Sequence, residues 1–145
     1  MKKTVLLLAL IISACTNNGV PNNPICHTKQ KDIMIGNGIL HSKIACSNQE
    51  KSTGLMNITS MPNNEGMIFV FDKVDYHQFW MKNTLLPLSI AFVDENWKIT
   101  DIKDMQPNDL TPVFPKKPSL YAVETNIGWF SQHNVKIGDQ IKLKP

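Results

Sequence analysis

LSIAFVDENWKITDIK, residues 88–103, decides the fold class. Residues 88–94 and 97–103 read as two strands, and Asp94-Glu95-Asn96 makes a tight hairpin between them. A second pair stands upstream. Residues 31–35 and 38–45 read as short strands around Gly36-Asn37-Gly38, a good turn sequence. Met67 to Phe71 is a continuous apolar run, short for a helix and suited to a buried strand. Residues 77–84, 119–125 and 140–143 complete the set, the last entered through the turn at Gly138-Asp139.

Helix signals are few. Ser47-Asn48-Gln49-Glu50 has capping-box spacing and opens a short helix through about Met56. Asn126 caps a single turn through Trp129 and Gln132. Between the strands at 97–103 and 119–125 stand Pro107, Pro112, Pro115 and Pro118, which forbid regular structure throughout. A loop of that length is either functional or loose. The expected architecture is mainly β (α+β): a small, mostly antiparallel, partly closed β-barrel with one or two short helices.

The N-terminus sets what is left to fold. Lys2 and Lys3 precede an unbroken apolar run from Val5 to Ile12, followed by Ser13-Ala14-Cys15. This is the layout of a secretory signal, and the run is shorter than the roughly 20 residues a spanning helix needs. Ile12-Ser13-Ala14-Cys15 resembles a bacterial lipobox. That resemblance implies cleavage before Cys15, a diacylglycerol on its sulfur and an acylated amine, with acyl chains such as palmitate. Each buried CH₂ contributes about 0.8 kcal/mol, so several chains make a lasting anchor. Thr16, rather than Asp, follows the cysteine, which leans toward the outer membrane in a Gram-negative host. The division that follows is a signal over 1–14, lipidated Cys15 with a polar tether to residue 25, and one domain over 26–145.

All 15 basic residues are Lys and none is Arg. Lys2 and Lys3 leave with the signal, so 13 Lys face 12 acidic residues. That balance, without a lysine cluster, points away from nucleic acid. Any anion site must use Lys or backbone N–H groups, because Arg, the usual bidentate partner, is missing. Cys26 and Cys46 remain after lipidation, and two spare cysteines in an exported chain are expected to pair. His27 beside Cys26, with His41 nearby, matches no metal-ligand spacing.

FWMKNT, residues 79–84, mixes groups that want burial with groups that want water or a partner. On a strand Phe79, Met81 and Asn83 share one face, and Trp80, Lys82 and Thr84 the other. One account sends Phe79 and Met81 into the core, with the Lys82 stem packed along Trp80 outside. The other ends the strand at a pocket mouth, with Trp80 as an apolar wall and Lys82 and Asn83 as polar contacts.

Gly54-Leu55-Met56, Glu65-Gly66-Met67-Ile68-Phe69-Val70-Phe71, FWMKNT itself, Pro87-Leu88, Val123-Glu124, Gly128-Trp129 and Ile137-Gly138-Asp139 together resemble the ordered motifs of the DUF192 family, also called UPF0127. The resemblance covers about residues 32–143 and implies a single β-rich domain, often exported, with no assigned reaction. Two positions depart from it: Thr53 stands where the family usually has Arg, and Ser89 where it usually has Asp. The resemblance makes Trp80, Lys82, Asn83 and Glu124 the candidate binding residues. A buried Glu124 needs a cation or several donors. Lys82 is the expected partner, and a purely structural ion pair is the alternative to a site.

Three function classes follow. The first is a lipid-tethered binding or accessory module for a polar ligand or an envelope partner protein, on the periplasmic side of the cell envelope. It is favoured because aromatic and polar groups occur together without a nucleophile constellation. The second is an envelope hydrolase or lyase using Glu124 as acid or base and Lys82 as electrostatic stabiliser. The third is metal handling through His and the soft ligands Met56, Met61, Met67 and Met81, for which core packing is the ordinary role. No catalytic residue and no cofactor is implied.

Overall fold

The computed structural model describes residues 21–145. The expected signal, Cys15 and the expected tether as far as residue 20 lie outside the described residues.

Strands β1 (Gln30–Ile35) and β2 (Gly38–Ala45) form the first antiparallel hairpin. Gly36 takes φ 55° at its turn, and a side chain there would run into the His133 carbonyl. Next come β3 (Glu65–Asp75), β4 (Leu88–Val93), β5 (Ile99–Met105), β6 (Ser119–Asn126) and β7 (Lys142–Leu143). All seven share one sheet in the order β5-β4-β6-β3-β2-β1-β7. Every pairing is antiparallel except β2 with β3.

A parallel pair cannot be joined by a tight turn. The connection from β2 to β3 therefore crosses the sheet and carries α1 (Asn48–Thr53). The capping box opens it as expected: Ser47 Oγ accepts from Glu50 N, and Glu50 Oε2 accepts from Ser47 N at 2.9 Å and Cys46 N at 3.0 Å. These bonds, led by that of the Ser47 backbone and joined by Lys29, hold the Glu50 carboxyl at about 2. The helix ends at Thr53, three residues short of the expected end at Met56, with Gly54 at φ 48° as its C-cap. At its start, a disulfide joins Cys46 to Cys26 in the 3-10 turn Pro24–His27, with Cα atoms 5.8 Å apart. Closing a loop of 20 residues contributes about 3 kcal/mol in the chain-entropy model.

The sheet curls into a half-barrel. The C-terminal stretch serves both of its ends: Ile141 N donates to Trp97 O and Ile99 N to Asp139 O, while Lys142 and Leu143 pair with β1. Both faces are buried. One carries Ile33, Leu40, Ile68 and Val123, packed with Trp129 and Phe130 of α2 (Trp129–Gln132). That short helix is capped by Gly128, not by Asn126 as expected; the Asn126 amide instead donates to the carbonyls of Met61 and Pro62.

The other face carries Phe69, Leu88, Ile90, Phe92 and Ala122. Its cover includes Leu55 and the segment holding FWMKNT. Here the expectation of a strand over 77–84 is overturned. The segment joins no sheet and touches the proline loop instead. Phe79 N and O bond Val113 at 2.9 and 2.8 Å, Met81 N donates to Asp109 O, and Asn108 N donates to Thr84 O. Phe79 and Met81 still point inward, so alternation is kept until Asn83 turns the chain at φ 52° and buries Thr84. The proline loop is itself held by Asp101, 1% exposed, whose carboxylate accepts from the backbone N–H groups of Ile102 and Lys116.

Candidate functional site

Glu124 lies in the middle of β6, with Met67 of β3 and Ile90 of β4 as its cross-strand partners. Two apolar neighbours leave its carboxyl no donor within the sheet. It is 4% exposed, and among the described residues its side chain forms no hydrogen bond and no ion pair. Burial alone pushes its pKa up to about 8, so it is protonated at neutral pH. Asp101, as deeply buried, is held by backbone N–H groups and by Lys103 and Lys116 at 3.6 and 3.7 Å. The contrast shows what Glu124 lacks.

The Glu124 carboxyl borders a cavity of about 320 Å³ on the second face of the sheet. Phe69, Phe71 and Phe79 wall it, α1 and the following Gly54-Leu55-Met56 close one side, and Trp80 stands at its rim, 45% exposed. The aromatic wall is set by edge-to-face packing: the Phe79 ring meets Phe69 at 5.1 Å and Phe71 at 6.0 Å. His77 stacks on Phe71 at 3.6 Å, and burial lowers its pKa.

The four candidate binding residues separate here. Trp80 and Glu124 line the cavity; Lys82 and Asn83 do not. Among the described residues the expected direct ion pair between Lys82 and Glu124 does not form. The reason is local. Without a strand at 77–84, Lys82 falls on the exposed turn, and its ammonium sits 5.2 Å over the Trp80 ring. Asn83 acts through its backbone, accepting from Asn57 N at 2.8 Å.

The cation that does line the cavity is Lys51, which sequence reasoning missed. Its Nζ donates to Val70 O at 3.3 Å, lies 3.7 Å from Asp72 and stands 5.5 Å over the Phe71 ring. The crossing direction of α1, which aims Lys51 at β3, is not written in its capping box. Thr84 was readable as part of FWMKNT but was assigned to an outer face. Of the two departures from the family pattern, Thr53 borders the cavity, while Ser89 donates to Asp104 and accepts from Gly128 N. Of the methionines weighed as soft ligands, Met81 is buried on the second face with Met61 and Met67 packed against it, while Met56 lines the cavity. A second hollow, about 400 Å³, lies beside α1; its Lys29 and Glu50 pair with each other at 3.0 Å, and Lys43 also lines it.

Comparison with known proteins adds the following. Residues 32–143 match the DUF192 family model, described as "Uncharacterized ACR, COG1430". A crystal structure of a protein of unknown function from Novosphingobium aromaticivorans DSM 12444 is 30% identical, with a TM-score of 0.76 over 83% of this chain and 89% of that one. A putative transcription regulator from Sinorhizobium meliloti 1021 is 25% identical, also with a TM-score of 0.76, over 79% of this chain and 93% of that one. Among curated proteins no match is found.

Proposed function

Because the chain belongs to the DUF192 family, whose pattern covers nearly the whole described domain, we propose that it is a lipid-anchored cell-envelope module that binds a small polar ligand between Trp80 and Glu124. One observation carries the binding reading. A carboxyl 4% exposed and without a partner opens onto a cavity of about 320 Å³. A buried polar group left unpaired costs about 1–3 kcal/mol, which a ligand that bonds to it returns as affinity. Aromatic and apolar walls with a few polar groups among them are the usual make-up of a small-molecule site.

The three tryptophans supply the test. Trp80 stands at the cavity rim, while Trp129 and Trp97 belong to the opposite core. In the exported full-length protein, a bound fragment is expected to shift the Trp80 indole N–H resonance and leave the other two in place. A fragment library that never moves Trp80 would contradict the reading.

The hydrolase or lyase alternative keeps one supporting observation, a carboxyl whose pKa of about 8 suits general acid–base work near neutral pH. It loses Lys82, which lies outside the cavity.

Support for the anchor is the ordered run of Lys2-Lys3, the apolar stretch and Cys15. Among the described residues no helix is long and apolar enough to cross a membrane. Cys15→Ser is expected to move the protein from the detergent phase to the aqueous phase and to change its gel mobility. Unchanged partitioning and mobility would rule Cys15 out as the anchor.

A further inference from the structure

Resting on that reading of the cavity, we infer that its ligand is a compact carboxylate with an apolar body, its anionic end set between the Glu124 carboxyl and the Lys51 ammonium. The inference starts from charge. Among the described residues, Lys51 and Glu124 are the only ionisable side chains lining the cavity. Lys51 Nζ donates to Val70 O at 3.3 Å and lies 3.7 Å from Asp72, which is outside the cavity. Its side chain is 13% exposed, and an ammonium has three N–H donors, of which one goes to Val70 O.

The groups facing Glu124 are otherwise uncharged. β4 offers Ile90, β3 offers Met67 and Phe69, and the FWMKNT segment offers Trp80 and Thr84. His77 lies on the Phe71 ring, and its lowered pKa keeps it neutral at pH 7. The ionisable lining is therefore Lys51 and, at neutral pH, a protonated Glu124, beside the hydroxyls of Ser52, Thr53 and Thr84 and the amides of Asn48 and Gln78.

A carboxylate matches that pair. One oxygen accepts from Lys51 Nζ and the other from the protonated Glu124, a charge-assisted O–H···O⁻ bond of the strong kind. An amine would meet Lys51 as a like charge and would need Glu124 to give up its proton. A neutral amide would gain no charge-assisted bond from Lys51. The volume, at the low end for ligand sites, limits the body to one ring or a short branched chain against Leu55, Phe69 and Phe79.

The site form that binds carries a proton on Glu124, so affinity follows its titration. Benzoate, benzylamine and benzamide share a ring and differ in the sign of charge. Each is titrated calorimetrically into the exported full-length protein at pH 6.5 and pH 9.5. Benzoate is expected to bind at the lower pH and to weaken about 30-fold at the higher, the loss of protonated site for a group titrating at about 8. Glu124→Gln keeps an N–H donor and is expected to retain benzoate while flattening that pH dependence. Lys51→Met is expected to weaken benzoate tenfold or more and to leave benzamide unaffected. Binding of benzylamine or benzamide without benzoate overturns this inference and leaves the cavity reading standing. Failure of all three to bind overturns both.

Discussion

Phe79→Ala is expected to destabilise the protein by about 3–5 kcal/mol, while Trp80→Ala, one residue on, is expected to cost less than about 1 kcal/mol. Phe79 is 8% exposed and meets the edges or faces of three other rings, with centroids 5.1 Å from Phe69, 5.7 Å from Phe92 and 6.0 Å from Phe71. Truncation removes all three contacts and opens the cavity into the core. The site cannot collapse around the gap, because the Phe79 backbone is fixed to Val113 by two hydrogen bonds. Trp80 loses only an exposed ring and its contact with the Lys82 ammonium. Urea denaturation of both variants measures the difference. A Phe79→Ala loss below about 1 kcal/mol would mean that FWMKNT is a surface loop, not the cover of the second core.

The second large effect is a gain. Glu124→Gln is expected to be more stable than the parent protein by several kcal/mol at pH 9 and nearly equal to it at pH 4. The folded pKa is raised from 4.5 to about 8 by burial. Between those values the folded chain holds a proton that the unfolded chain has released. The Glu124 contribution to parent stability is therefore fully present below about pH 4.5 and falls by roughly 1.4 kcal/mol per pH unit until about pH 8, where it levels off. Glutamine has no proton to lose and removes that slope. Glu50 acts in the opposite direction: its carboxyl, held at about 2, adds stability that is lost as pH falls from 4.5. It is over a third exposed, so solvent screening makes its share the smaller. Denaturation midpoints from pH 4 to pH 9 give both slopes. A parent stability that rises between pH 5 and 8 would contradict the assignment for Glu124.

Much of the sheet was legible because its hairpins are local. The turn at Gly36-Asn37, the strand at 88–93 with its hairpin at Asp94, and the Ser47/Glu50 capping box each lie within a few residues of what determines them. β3 is longer than its apolar run, since Asp72 to Asp75 are carried on by a register shift that pairs Asp75 with Ser119. The segment at 77–84 was misread for a physical reason. A loop that plugs a core with every second residue has the same period as a strand. What distinguishes them is the partner, and here the partner is a proline loop some 30 residues away. The cavity was half legible. Glu124 and Trp80 mark its ends in sequence, but the missing cation for Glu124 is a fact of packing, visible only once Lys82 is seen to sit on a turn. Lys51 reaches the cavity from a helix whose crossing over the sheet is a tertiary event.

Glu124 faces the cavity as an unpartnered carboxyl that burial keeps protonated at neutral pH. Its side-chain carboxyl ¹³C resonance, assigned by its disappearance in Glu124→Gln, follows that proton directly through a pH titration. The account predicts a midpoint near 8. A midpoint between about 4 and 5, the ordinary range for glutamate, would show that water or a partner reaches the carboxyl and would contradict it.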